Sequence, residues 1–242
     1  MRCSIARSDV TPDVQLIDWH TVSDELDACG ACVLPGLLDA ECCAAVTALY
    51  QQQTSFRSRV VMARHGYGRG EYQYFCYPLP PTIATLRARL YVPLVPIANG
   101  WYERMGLAPR FPEQHADFLA RCHAAGQLRA TPLLLRYGAG DYNHLHQDLY
   151  GEHCFPLQVA VLLSAPGHDF SGGEFVLTEQ RPRQQSRVEV IPLAQGDAVV
   201  FAVNQRPQRG SRGDYRVTMR HGVSRLRSGH RMTLGVIFHD AL

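Results

Sequence analysis

The sequence predicts an α+β protein of a single domain over 1–242, with a mainly helical part over 1–130 and an all-β part over 131–242. Two changes of texture carry that reading. Seven short apolar runs crowd into the second part, at 131–137, 155–164, 173–179, 187–193, 197–203, 215–221 and 231–240, each bounded by Gly, Pro, Ser or Asp. Many short strands with turn signals between them argue a sandwich or barrel, and a double-sheet jelly roll is one form that fits. A length of 242 residues, 46% hydrophobic and 19% charged, is ordinary for a globular chain and enough to bury a core.

The helical part is read in order. A helix over 21–29 ends at Gly30, and a short buried strand follows at 32–34, punctuated by Pro35 and Gly36. Asp39 is an N-cap candidate for a helix over 39–52. A helix over 83–92 meets Pro93 and Pro96, which lack the N–H a helix needs and should interrupt or kink it. Residues 97–105 then resume a helix around Gly100, and a last one over 111–126 closes at Gly126. There is no internal repeat and no low-complexity segment.

Composition excludes several classes. No run of about 18 apolar residues exists, so no membrane-crossing helix is expected. The first twenty residues carry no apolar signal core, which points to the cytoplasm. Of the eight Cys, only Cys29 and Cys32 form a CxxC pair; one such pair makes no zinc site, and free thiols are expected. The net charge is only +2, yet all 24 basic residues are Arg and eleven of them lie in 181–231. Arg forks suit phosphate and stack on bases; a solvated face or coding bias gives the same composition.

The chemistry gathers in the all-β part. His146 and Asp148 flank one residue at a strand edge, so both side chains fall on one face. His221 follows 73 residues after Asp148, and Arg231 and Thr233 follow His221 by ten and twelve. Two imidazoles and one carboxylate form a facial metal site with three open positions, which suits non-haem Fe(II) oxygen chemistry. A buried Arg231 needs an anionic partner, and Thr233 shares its face. His144 and His153 offer a rival zinc cluster with His146, but zinc has no use for His221 or Arg231.

In this order and spacing the chain resembles the 2-oxoglutarate/Fe(II)-dependent dioxygenases, over roughly 132–240. The strings YNHLHQDLYGEHCFPLQVAVLLSAPGHDFSGGEFVLT at 142–178 and RHGVSRLRSGHR at 220–231 resemble a prokaryotic branch proposed to demethylate damaged nucleobases oxidatively. The resemblance implies a double-stranded β-helix (jelly roll) core buttressed by amino-terminal helices. It implies Fe(II) on His146, Asp148 and His221, and 2-oxoglutarate held by Arg231 with Thr233 and Tyr137. O2 is then the second co-substrate, with succinate and CO2 as products. The implied substrate is an N-alkylated base, single-stranded or flipped from a duplex, which would make this a DNA-repair activity. A prolyl, other protein or small-metabolite hydroxylase keeps the same chemistry, and a non-catalytic metal-binding jelly roll is the alternative outside enzymes. Oligomeric state is not legible.

On the substrate side, Tyr142 is expected to line the pocket. The segment GYGRGEYQYFCYPLP at 66–80 carries Arg69, Tyr72 and Tyr74. It suits either a lid that stacks on a planar base or a strand whose tyrosines fill a core. Gly172-Gly173-Glu174-Phe175 is one residue short of the cyclic-dinucleotide synthase signature and reads as a turn entering a strand. His239 and Asp240 end the last strand and read as structural.

Overall fold

The computed structural model describes residues 14–108 and 111–242. Asp18 accepts hydrogen bonds from the backbone amides of His20 and Thr21 at 3.1 and 3.3 Å and so caps α1 (Trp19–Cys29). Gly30 ends it at φ 79°, and the chain enters β1 (Ala31–Leu34). Asp39 accepts from the Cys42 amide at 2.7 Å and caps α2 (Ala40–Ala48). This helix stops short of the expected 52 because its end tightens into a 3-10 turn at 49–51.

The segment read as a lid or a packed strand is strand. It supplies β3 (Gly68–Arg69) and β4 (Glu71–Phe75), and β4 pairs with β2 (Phe56–Val61). Next comes α3 (Pro81–Arg104), one helix where two were expected. Pro93 and Pro96 remove two helical hydrogen bonds, at a cost of about 3 kcal/mol each. Leu86, Leu90, Tyr91, Leu94, Ala98 and Trp101 are all buried along the same helix, and burial of that many large apolar side chains outweighs the proline cost. A shorter α4 (His115–Ala124) lies within the expected 111–126.

Ten strands follow: β5 (Leu133–Gly138), β6 (Tyr142–His146), β7 (Leu157–Leu162), β8 (Phe170–Gly172), β9 (Phe175–Gln180), β10 (Arg187–Ile191), β11 (Ala198–Ala202), β12 (Gln205–Gly210), β13 (Gly213–Val223) and β14 (Leu226–Val236). β6 and β12 carry no apolar run to announce them; YNHLH and QRPQRG are strands because they complete a sheet edge to edge. The larger sheet has the order β1-β11-β7-β14-β5-β4-β2, with β8 on β14; the smaller has β10-β9-β13-β6-β3, with β12 on β13. Two antiparallel sheets facing one another, with helices outside the larger, make the double-stranded β-helix. No described helix is long and apolar enough to cross a membrane.

Alternation along the larger sheet sorts its residues. On β14, Arg231, Thr233 and Gly235 face a cavity between the sheets, whereas Met232, Leu234 and Val236 join the core shared with α3. β5 does the same with Leu133, Leu135 and Tyr137 inward, and β4 with Tyr72 and Tyr74. Outside, the Tyr91 ring packs on Phe155 and Phe238 at 4.9 and 5.9 Å. Beside it Arg87, 1% exposed, donates to Asp240 and to the Ile237 carbonyl, both at 2.8 Å. Tyr77 and His123 complete the shell of Asp240, each at 2.8 Å. Asp240 thus pins α3 and α4 to the end of the last strand, a structural role.

Asp240→Ala is expected to cost about 3–5 kcal/mol in urea unfolding, because it strands the buried Arg87 charge. His115 and His239 are both drawn down to about 4, by burial first and by Arg87 second. Between about pH 6.5 and 4 the unfolded chain therefore binds protons that the folded chain refuses, and stability falls as pH falls through that window. His115→Phe should flatten this slope in urea melts taken at successive pH values.

Candidate active site

The central residues come from two neighbouring strands and a loop. His146 ends β6 and Asp148 lies two residues beyond it. Between them Gln147 points the other way, its amide donating to Asn204 Oδ1 at 2.8 Å and to the Met219 carbonyl at 2.9 Å. That anchor on β13 turns both flanking side chains inward. His221 sits opposite His146 in the β13–β6 register. Gly222 lets those strands close up, since a Cβ there would meet the Asn143 carbonyl oxygen at 2.8 Å.

His221 Nε2 lies 3.4 Å from Asp148 Oδ2, and His146 Nε2 lies 3.6 Å from Oδ1. The imidazole centroids are 4.2 Å apart, and one donor atom from each of the three residues falls within 4.8 Å of the others. His146 Nδ1 donates to the His144 carbonyl at 2.7 Å, which orients the ring with Nε2 towards the carboxylate. Burial would raise the Asp148 carboxyl, but the His221 hydrogen bond, both imidazoles and the Tyr150 hydroxyl hold it well below the usual range. Burial lowers His221, with His146 adding to it and Asp148 opposing. Two imidazole nitrogens and one carboxylate oxygen, convergent and part-buried, fit a divalent ion with open positions. Among the described residues this is the one group of three or more such donors that converges.

Arg231 lines the same cavity, of about 360 Å³. It is 2% exposed; Nη1 donates to Thr233 Oγ1 at 2.6 Å, and Nε has no partner. Among the described residues no carboxylate lies within 4.0 Å of it; its nearest aromatic faces are Tyr137 and Phe170, at 5.7 and 6.0 Å. Burial draws the guanidinium down to about 10, so it is still charged at neutral pH. The Tyr137 hydroxyl, also buried, makes no hydrogen bond. A buried cation without a counter-charge, beside a buried phenol without a partner, is a receptor for an anion. An anion bound there shares one chamber with the three-donor cluster.

Of the four residues expected on the substrate side, Tyr72 and Tyr74 line the cavity. Tyr74 donates to the Tyr150 hydroxyl at 3.0 Å, and Tyr150 donates to Asp148 Oδ1 at 2.6 Å. Arg69 and Tyr142 do not line it. They pair with each other across β3 and β6, where exposed Arg69 approaches Asp141 at 4.0 Å and the Tyr142 ring meets His144 edge-on. Their strand pairing spends them at the rim. The rival zinc set does not assemble: among the described residues only His146, Asp148 and His221 converge. Cys29 and Cys32 are free thiols. The Arg-rich stretch is partly structural: Arg181, Arg187 and the buried Arg206 converge on Glu179. Gly172 and Gly173, at φ 71° and 66°, form the turn into β9. Sequence reasoning missed Tyr150 and Gln158. The first was legible only as a tyrosine two residues after Asp148, the second as the lone polar residue in an apolar run.

A family model described as an oxygenase catalysing oxidative methylation of damaged DNA matches residues 70–241. The uncharacterized protein Rv2227 of Mycobacterium tuberculosis (strain H37Rv) is 52% identical over 167 residues, which cover 69% of this chain and 72% of that one. Among solved structures, a Pseudomonas putida prolyl-4-hydroxylase aligns with TM-score 0.56 at 15% identity, over 93% of this chain and 100% of its own. An oxidoreductase of the 2OG-Fe(II) oxygenase family from Burkholderia pseudomallei aligns with TM-score 0.55 at 17% identity, over 93% of each chain. At such identities the likeness is one of fold.

Arg231→Met should leave the ligand-free protein more stable by about 1–3 kcal/mol, because a buried charge without a counter-charge is replaced by an apolar chain of similar length. Urea unfolding checks this; a loss of stability would mean that internal partners already satisfy the guanidinium.

Proposed function

The chain belongs to the Oxygenase-NA family of oxygenases, and on that premise we propose that it is an Fe(II)- and 2-oxoglutarate-dependent dioxygenase that oxidises an N-alkylated base of damaged nucleic acid. The observation that carries the cofactor reading is the buried Arg231, with no carboxylate within 4.0 Å among the described residues, in the same chamber as His146, Asp148 and His221. The three residues would hold iron, and Arg231 with Thr233 would hold the distal carboxylate of 2-oxoglutarate in a bidentate fork. When bound, the pair supplies with O2 an oxidation that turns a substrate C–H into C–OH and 2-oxoglutarate into succinate and CO2.

The chain's own residues hold this arrangement still. Tyr150 fixes the Asp148 carboxylate by donating to Oδ1, and Tyr74 in turn orients Tyr150. The carbonyl of His144 sets the His146 ring and its tautomer. Phe201 and Phe175 lie against the His221 ring at 4.6 and 6.0 Å and exclude water from that side. Tyr137 adds a hydroxyl near the anion end.

The damaged DNA of the family description supports the substrate class. So do the rings of Tyr67, half exposed, and of Tyr72 and Tyr74 in the cavity wall, which offer faces for a planar base. A methyl group on a base nitrogen would become a hydroxymethyl group; loss of formaldehyde then returns the N–H. A base must leave its stack to reach a buried site.

Protein loaded with Fe(II) without oxygen, then given 2-oxoglutarate and O2, is expected to form succinate. Asp148→Ala and His221→Ala should reduce that rate to background. Arg231→Ala should raise the KM for 2-oxoglutarate by roughly 100-fold, the loss of a charge-assisted pair. Formaldehyde release from N-methylated single strands, with binding that weakens steeply in salt, would identify the substrate class. Turnover of peptides or metabolites with no response to methylated strands would refute it.

A further inference from the structure

β7 reads LQVAVL, and all six residues are buried. Gln158 is its one polar side chain. It is 4% exposed, it lines the cavity, and its Oε1 makes no hydrogen bond. A buried carbonyl oxygen left unpaired is costly, and a core position that tolerates valine and leucine on either side has no packing need for an amide. The cost points to a ligand group absent from the protein itself.

Its place in the register separates it from the anion end. Gln158 stands opposite Phe201 of β11, whose ring covers His221 at 4.6 Å. Toward Arg231, the next inward pair across β7 and β14 is Ala160 with Gly235, and the next is Leu162 with Thr233. Arg231 is one step beyond, so about 20 Å of strand separates the two positions, far more than a five-carbon diacid spans. Next to Gln158 the wall is made of small residues, Ala160 and Gly235. Gly235 lets Leu133 lie close against the strand, since a Cβ there would strike Leu133 Cδ2 at 2.6 Å. Tyr74, Leu133 and Tyr150 border the same space. The result is a lobe of flat, apolar walls with one amide in it.

We propose that Gln158 is the residue that reads the target base: its amide oxygen accepts from an exocyclic amino group, and the site therefore favours an amino-bearing base over thymine. An amide matches the acceptor-and-donor edge of an amino-bearing base. An N3-methylated thymine presents carbonyl oxygens and no donor, so it can meet only the amide nitrogen and leaves Oε1 unpaired. The proposal rests on the nucleobase reading above and deepens it.

The test uses the Fe(II)-loaded protein with 2-oxoglutarate and no oxygen. Single strands identical except for one N6-methyladenine or one N3-methylthymine are titrated by fluorescence anisotropy. The wild type is expected to bind the adenine strand about tenfold or more tightly. Gln158→Leu should erase that preference; Gln158→Met serves if the leucine variant does not fold by thermal melting. Equal binding of both strands by the wild type, or a preference that survives in the variants, overturns the assignment and leaves the nucleobase reading standing. A variant whose defect lies in 2-oxoglutarate affinity alone also overturns it. Failure of the wild type to bind either strand better than unmodified DNA, with 2-oxoglutarate still bound, removes the nucleobase reading and this assignment together.

Discussion

The chamber between the sheets exists because polar groups stand where a jelly roll would otherwise close on itself. Arg231 imposes this most strongly. A guanidinium in that interior cannot be covered by apolar side chains without great cost, and no carboxylate is supplied within 4.0 Å among the described residues. The fold tolerates the charge because a ligand can answer it. Asp148 is the reverse case: an acid ringed by two imidazoles and a phenol, held anionic in the same low-dielectric space. The chamber thus holds a guanidinium at one end and a carboxylate flanked by two imidazoles at the other.

The surrounding structure serves that separation of charges. α3 runs unbroken through two prolines because its apolar face must cover the outer side of the larger sheet. Arg87 and Asp240 show how a buried charge looks when the protein itself satisfies it, with five hydrogen bonds shared among Tyr77, His123, Ile237 and each other. Set beside that knot, Arg231 with its single internal bond to Thr233 is conspicuously incomplete.

Much of this was legible in the sequence, for specific reasons. His146, Asp148, His221 and Arg231 could be found because their chemistry is unusual in strands and their order restricts it. The jelly roll was legible because apolar runs recur between turn residues. β6 and β12 were not, since a polar strand gains its identity from neighbours distant in the chain. The two helices expected around Pro93 were one, because local proline cost was weighed without the burial that opposes it. Arg69 and Tyr142 looked like substrate residues by composition; only strand pairing reveals that they sit at the rim. Tyr150 and Gln158 carry no signal beyond their oddity, and only folding places them beside Asp148 and in the cavity wall.

β14 alone presents Arg231, Thr233 and Gly235 to the chamber, and its intervening residues to the core. Side chains on a strand alternate with period two, so a shift of one residue would carry the guanidinium into the core under α3 and push Met232 into the chamber. No intermediate register is half-functional. The stretch is in effect a reading frame. Over evolutionary time, changes in length must fall in the connecting loops, while within 231–236 substitutions are permitted and insertions are not. A lineage that altered its chemistry would do so by exchanging residues at these inward positions rather than by rebuilding the strand.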